Sequence, residues 1–480
     1  MKLNDILRTA GYASMLSESD TEITSITNDS REVKPGSLFV AVRGYRSDGH
    51  DYVKKAIEAG AAAVVAERTL FGIPVFVNPE GDNRKFLAET SAAFYRYPWM
   101  DMKTVGITGT NGKTSTAHML RWILEQNGIS TGVMGTVGHI AGGKEIPASV
   151  TTPESVHIAQ YMRQMADSGD KVCVMEVSSH AIALKRVSSV RFDAAVFTNI
   201  SQDHLDFHLD MNEYLNTKLE IFNLLKDKGT GLAGSYASGI PAVQGVRTFG
   251  TGNSDCYRIS DEKVFITGSE YTLHLNSEEI PVKVAAPGRF NVFNSAGALA
   301  AAVELGVSPP AAAAALETFT GVPGRMEAVN CGQDFLVAVD YAHTPDALER
   351  VLEQGKQLAE GKLIAVFGCG GDRDRKKRPV MGHIASETAD LAVVTSDNPR
   401  TEDPDRIIQD IMEGINRKNG IVVQPDRSLA IRYAINHAMT GDVVIIAGKG
   451  HEDYQILGTV KVHFDDREKA VEALKNRGCR

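Results

Sequence analysis

Near residue 101 the chain reads KTVGITGTNGKTSTAHMLRWILEQNG. A β-rich run meets a glycine-rich turn, then a helical run whose apolar positions Met119, Leu120, Ile123 and Leu124 recur at helical spacing. Few backbones accept that order of elements, and the one that does so readily is a strand feeding a loop that opens a helix. Within Gly109-Thr110-Asn111-Gly112-Lys113-Thr114-Ser115, the glycines let backbone N–H groups close around phosphate. Lys113 supplies charge and Thr114 a hydroxyl for Mg²⁺. The strict P-loop pattern needs glycine at 107, where this chain has Ile107, so the loop is a shorter variant. Its plain alternative is an ordinary glycine-rich turn; with a strand before it and a helix after it, a loop for ATP phosphates is the better reading.

Polar residues gather at the ends of further strand-like runs. Glu176 ends the apolar run of KVCVMEVSS, while Asp203 and His204 follow FDAAVFTNIS, so carboxylate and imidazole can converge beside the phosphates. A single glutamate or histidine at a strand end is more often a cap, but three such residues with a phosphate loop favour Mg²⁺ chemistry. Lys218, in NEYLNTKLEIF, sits on an amphipathic helix and on its own reads as a solvated lysine. Further on come Asp340-Tyr341-Ala342-His343, Gly370-Gly371-Asp372-Arg373, Asp397-Asn398-Pro399-Arg400 and Gly448-Lys449-Gly450-His451-Glu452. Together they suit a small zwitterion, with carboxylate on arginine and ammonium on an acid, against the alternative of helix caps and surface ion pairs.

At 480 residues the chain is long for one core, and length suggests about three domains. We expect an α/β protein with a small N-terminal α/β domain over residues 1–100 and a central P-loop-type, parallel-sheet ATPase domain over 101–330. A C-terminal, Rossmann-like doubly wound domain follows over 331–480, beyond a hinge-like Gly-Val-Pro-Gly at 321–324. A net charge of -9 argues against nucleic acid as a partner. The first residues lack the basic and apolar pattern of a secretory leader, and no run of about 18 apolar residues follows, so a cytoplasmic protein without membrane insertion is expected. Cys173, Cys256, Cys331, Cys369 and Cys479 show no C-x-x-C spacing and read as reduced thiols.

The segments GTNGKTS, MEVSSH, QDHLDFH, the lysine of EYLNTK, PGRFNVFN, PGRME, DYAHTPDAL, GCGGDRD, DNPR and GKGHEDYQ, in this order over essentially the whole chain, resemble the Mur ligases. DNPR followed by GKGHE is similar to the branch that adds meso-2,6-diaminopimelate; lysine-adding members usually lack that arginine. The resemblance implies domains for a UDP-sugar, ATP and an amino acid. It implies joining of the diamino acid to UDP-N-acetylmuramoyl-L-alanyl-D-glutamate with ATP and two Mg²⁺ ions. By the same matching Ser30, Tyr45, Arg46 and Ser47 contact the uridine nucleotide, and Thr151, Thr152, Ser178 and Arg186 hold the muramoyl-dipeptide. Asn294, Arg325, Asp340 and His343 join the phosphate loop around ATP. Thr114, Glu176, His204 and a carbamylated Lys218 serve the metals, with Lys113, Glu176, His204 and Lys218 as the catalytic set. Arg373, Asp397, Asn398, Pro399, Arg400, Gly448 and Glu452 match the diaminopimelate pocket, where a buried Arg400 without its carboxylate would cost about 3 to 5 kcal/mol. The chain departs from the pattern at Leu184 and in GLAGSYASGIPAVQ, residues 231–244. A relative adding lysine or another amino acid, and a nucleotide-binding regulator without turnover, remain alternatives.

Overall fold

Short β-branched runs between glycines and polar turns become buried parallel strands here, because helices cover them on both faces. The computed structural model describes residues 1–18, 20–44, 47–148, 150–205, 207–235, 240–241, 243–265, 268–319, 321–417 and 419–478. Its N-terminal sheet runs Ser25–Thr27, Ser37–Val40, Ala63–Ala66, Phe76–Val77, with all pairs parallel. Alternation divides one strand between two cores: Leu38 and Val40 pack with Leu3, Ile6, Phe86 and Leu87, while Phe39 packs with Val53, Ala56 and Val64.

The central sheet places Val246–Gly250, Leu225–Gly234, Phe192–Phe197, Lys103–Thr108, Val172–Glu176 and Thr131–Met134 side by side and parallel. Antiparallel His139–Ala141 and Lys144–Ile146 extend it beyond Thr131–Met134. Because Lys103–Thr108 lies between Phe192–Phe197 and Val172–Glu176, the carboxyl ends of three neighbouring strands deliver Gly109, Thr198 and Glu176 to one edge. Helix Lys113–Gln126 buries Met119, Leu120, Ile123 and Leu124, as the spacing predicts.

The C-terminal sheet is doubly wound. From Leu336–Asp340 the chain builds Leu363–Phe367, Leu391–Val394 and Ile421–Val423 outward, then returns to insert Val443–Ala447 between the first two, all parallel. One face packs on helices Pro345–Leu358, Lys377–Thr388 and Pro404–Met412, and the other on Arg427–His437 and Asp466–Asn476. The reversal of strand order opens a crevice at the carboxyl ends, where Asp340, Gly370 and Gly448 emerge.

By contacts the chain forms two compact units: Met1–Ile259 with His274–Glu278 and Phe293–Ala315, and Ser260–Leu273 with Glu279–Val292 and Leu316–Arg480. The N-terminal and central sheets share the first unit because Val156, on helix Ser155–Asp167, joins the N-terminal core beside Phe86 and Leu87. Among the described residues no helix is long and apolar enough to cross a membrane.

Arg427 and Asp466 are both fully buried and joined by two bonds of 2.7 Å, and Arg427 Nη2 also donates to the Ala447 carbonyl at 3.0 Å. This pair holds the two covering helices to the end of the strand that leads into Gly448. Asp466→Asn leaves the guanidinium buried without its counter-ion, and we expect a loss of about 3 to 5 kcal/mol in unfolding free energy by urea titration; an unchanged midpoint would contradict this role.

Candidate active site

The phosphate loop is held by its neighbours before any ligand is considered. Gly109 (φ +141°) and Gly112 (φ +81°) occupy backbone that favours glycine; a Cβ at these positions would lie 2.0 Å from Thr198 Oγ1 and 2.2 Å from Asn294 Oδ1. Thr198 donates to the Asn111 carbonyl at 2.5 Å, and the Asn199 amide both accepts from Asn111 N and donates to Asn111 O at 3.0 Å. Lys113 Nζ lies across its own loop, donating to the carbonyls of Gly109 and Thr110 at 2.9 Å each. Asn294 thus stands against the loop, although it is distant from it in sequence. Ser115 follows Thr114 in the first turn of helix Lys113–Gln126.

Glu176 is fully buried, so its charge must be met by donors. The Thr114 hydroxyl donates to Oε2 at 2.8 Å, Thr136 N–H to Oε1 at 2.8 Å and the Thr136 hydroxyl to Oε2 at 3.1 Å. Thr136 escapes the sequence reading because it becomes a partner only when Thr131–Met134 pairs with Val172–Glu176. The hint available was its place in a small-residue loop at a strand end. Thr114 and Glu176 offer oxygen to a hard cation, and the burial of that carboxylate suits Mg²⁺.

Lys218 corrects its plain reading: it is buried, not solvated, with Nζ donating to the Gly109 carbonyl at 2.8 Å. The same nitrogen stands 4.7 Å above the Tyr214 ring, whose hydroxyl lies 3.2 Å from Thr110 Oγ1. Burial pushes the Lys218 ammonium well below the usual lysine range, Lys113 adds to the shift and Asp203 opposes it. His204, at φ +54°, is half-exposed; its N–H donates to Asp203 Oδ1 at 2.8 Å and its ring centroid is 4.8 Å from that of His180.

Beside Glu176, Thr152 Oγ1 donates to the Glu176 carbonyl at 2.9 Å and accepts from Ser178 N–H at 3.1 Å. Arg186 donates to Thr152 O at 3.0 Å and pairs with Glu154 at 2.6 Å, and Thr151 Oγ1 is 3.1 Å from Thr136 Oγ1. The four proposed dipeptide contacts therefore share one neighbourhood, and Leu184 ends the short helix Ser179–Ala183 just before Arg186. Ser30 is buried and Ser47 exposed. Tyr45 and Arg46 lie outside the described residues, as do 236–239 and 242 of the atypical segment.

A second polar cluster lines the C-terminal crevice. Burial pushes the Asp340 carboxyl up, against the pull of Arg325 and of the N–H groups of Met326 and Ala342, each 2.8 Å from it. The Arg325 guanidinium stands 5.4 Å over Tyr341, whose ring also meets His343 at 4.6 Å and His451 at 5.0 Å. Arg400, at φ +52°, is half-buried rather than buried, and its Nη1 donates to the Gly371 carbonyl at 2.9 Å. Asp397 is buried against Gly448, where a Cβ would lie 2.6 Å from Asp397 Oδ2. Asn398 Nδ2 donates to Glu452 Oε2 at 3.0 Å, and the Pro399 carbonyl accepts from Glu402 N–H at 3.1 Å. Glu402, missed in the sequence, joins the two loops: it accepts from Asp372 N–H at 2.6 Å and pairs with buried Arg378 at 2.9 Å, which holds its carboxyl at about 2. Arg373 stands apart, exposed, with its guanidinium on the Asp372 carbonyl.

Sequence models of the Mur ligase family catalytic domain, the Mur ligase middle domain and the Mur ligase glutamate ligase domain match residues 22–95, 107–302 and 324–450. The UDP-N-acetylmuramoyl-L-alanyl-D-glutamate--2,6-diaminopimelate ligase of Clostridium botulinum (strain ATCC 19397 / Type A) is 42% identical over 99% of this chain and 100% of its own. That of Geobacillus thermodenitrificans (strain NG80-2) is 43% identical over 95% and 96%. A solved structure of a ligase of that name superposes with a TM-score of 0.71 at 30% identity, covering 100% of this chain and 99% of the other. The MurF ligase of Thermotoga maritima, solved with ADP, shares the fold at a TM-score of 0.60 and 20% identity over 94% and 97%.

The Gly112 contact generates a direct test. Gly112→Ala should weaken binding of a fluorescent ATP analogue at least tenfold, about 1.4 kcal/mol, because Asn294 or the loop must move; affinity within twofold of the parent would rule the contact out as a constraint.

Proposed function

The chain belongs to the Mur ligase family, and we propose that its two strand-end clusters divide the work of a ligase between activation of an acid and selection of an amine. It is an ATP-dependent, ADP-forming ligase that adds meso-2,6-diaminopimelate to UDP-N-acetylmuramoyl-L-alanyl-D-glutamate in peptidoglycan precursor synthesis. The observation that carries the division is the meeting of Lys113, Lys218, Thr114 and Glu176 around Gly109, while Asn398, Arg400 and Glu452 gather at a different sheet. In this reading residues 1–100 bind the UDP-sugar, 101–330 ATP and 331–480 the amino acid.

A carboxylate is a poor electrophile, so the D-glutamyl acid first takes the γ-phosphoryl group and becomes an acyl phosphate. Loop N–H groups and Lys113 hold the phosphates, the lysine exchanging two carbonyl acceptors for phosphate oxygens. Bound Mg²⁺ supplies neutralisation of phosphate charge; Thr114 and Glu176 would hold one ion, His204 and carbamylated Lys218 a second. Lys218 suits that modification because burial favours its neutral amine. The Nζ–C bond to CO₂ forms as one N–H proton leaves, and an anion replaces the neutral amine beside Lys113. Ser30, Tyr45, Arg46 and Ser47 take the uridine end, Thr151, Thr152, Ser178 and Arg186 the dipeptide, and Asn294, Arg325, Asp340 and His343 the nucleotide. The diamino acid then attacks as its free amine, and the tetrahedral intermediate collapses to amide and phosphate. Holding acid and amine together removes much of the entropic barrier.

Selection rests on Arg400 for the distal carboxylate and Glu452 for an ammonium, with Arg373, Asp397, Asn398, Pro399 and Gly448 shaping the pocket. L-Lysine lacks the carboxylate. Because Arg400 is half-buried and keeps a carbonyl partner, the penalty falls below that of a fully buried charge, to about 1 to 3 kcal/mol.

Phosphate release with the UDP-muramoyl-dipeptide and ATP should be rapid with meso-diaminopimelate and roughly ten- to hundredfold lower in kcat/KM with L-lysine; release with neither amine would overturn the activity. Arg400→Ala should lower kcat/KM for diaminopimelate by about 100-fold, or 2.7 kcal/mol, and leave ATP affinity within twofold. Equal loss of both would reject the pocket. Carbon-13-labelled bicarbonate should give a carbamate resonance in the parent that Lys218→Arg abolishes; its persistence in that variant would place the carbamate elsewhere.

A further inference from the structure

Lys449 has no part in the roles assigned so far, yet its side chain is fully buried. An ammonium is strongly hydrated and seldom buried without partners. Its partners are specific. Nζ donates to Asn398 Oδ1 at 3.3 Å and Glu452 Oε2 at 3.2 Å, and lies 5.4 Å from the centre of the Tyr454 ring. Asn398 closes a triangle: Oδ1 also accepts from Ile456 N–H at 2.9 Å, and Nδ2 donates to the same Glu452 Oε2 at 3.0 Å. The amide cannot flip without setting donor against donor at Lys449 and acceptor against acceptor at Glu452.

The contrast with Arg427 is instructive. Its ion pair with Asp466 is sealed on both sides, as a scaffold requires. Lys449 instead grips a carboxylate that is still partly exposed, with 18% of the Glu452 side chain accessible. Of the charges assigned to this strand-end cluster, Arg373 is exposed and stands apart, and the buried and half-buried ones balance: Arg400 and Lys449 against Asp397 and Glu452. That balance suits a diamino diacid, itself neutral with two carboxylates and two ammonium groups. Without the lysine the cluster carries an excess negative charge, which suits a diamino monoacid of net charge +1.

We infer that Lys449 is a positioning and specificity-determining residue: its buried ammonium orients Asn398 and Glu452 and sets the charge of the pocket so that a neutral diamino diacid is taken in preference to a cationic diamino acid. This rests on the reading of that cluster as the amino-acid pocket.

Lys449→Met, nearly isosteric and uncharged, should raise KM for meso-diaminopimelate at least tenfold while KM for ATP and for the UDP-muramoyl-dipeptide stays within twofold. The diaminopimelate-to-lysine ratio of kcat/KM should narrow at least tenfold, a change that general loosening of the domain would not produce. In a Glu452→Gln background the same substitution should cost clearly less than in the parent, since part of the lysine's action passes through that carboxylate. Lys449→Arg, which keeps the charge, should recover part of the preference. Should Lys449→Met fail to fold, Lys449→Gln removes the charge and is read in the same way. An unchanged ratio, an equal loss for all three substrates, or full additivity with Glu452→Gln overturns the role of Lys449. If Glu452→Gln and Arg400→Ala both leave KM for diaminopimelate unaltered, the pocket assignment itself fails. A rise in KM with those two but not with Lys449→Met rejects the lysine alone.

Discussion

Desolvation of cations governs both clusters. Lys218, Arg378, Arg427 and Lys449 are among the largest fully buried side chains of the protein, and removing such a charge from water costs several kcal/mol unless it is met. Three have carboxylates: Arg378 has Glu402 and Asp410, Arg427 has Asp466, and Lys449 has Glu452. Lys218 has the Gly109 carbonyl and the Tyr214 face instead, and among the described residues no carboxylate within ion-pair distance. The outcome differs accordingly. The paired cations brace the C-terminal cluster, while the one without a close counter-ion is driven toward its neutral amine, next to the phosphate loop.

Parallel topology is what makes this economy workable. Strands that all point one way bring their carboxyl ends to one edge, so Gly109, Glu176 and Thr198 meet in the central sheet and Asp340, Gly370 and Gly448 in the C-terminal one. Backbone N–H groups and small polar side chains then do the fine placement: three donors surround Glu176, and two backbone N–H groups hold Asp340.

Much of this was legible in the chain, and the rest was not for identifiable reasons. Glycine pattern and apolar spacing announce the loop and its helix, because both follow from local backbone preference. Glu176 could be named from its place at the end of an apolar run, but Thr136 could not, since its contacts arise from strand pairing. Lys218 looks solvated on an amphipathic helix until the fold turns it toward Gly109. Arg378 hides in the basic run RKKRP, where nothing local separates it from exposed Arg373 and Arg375. A boundary near residue 100 follows from composition, yet contacts keep that region with the central sheet through Val156.

Arg400 carries a tension of its own. Its left-handed backbone, shared by His204, Met326 and Asp372 at the two clusters, is a conformation that glycine and asparagine accept with less strain. Drift toward either residue would relax the chain, yet it would delete the guanidinium to which the proposed selectivity is assigned. On that proposal robustness and fidelity pull in opposite directions at this position, and a long-side-chain cation in a glycine-like backbone is the compromise between them.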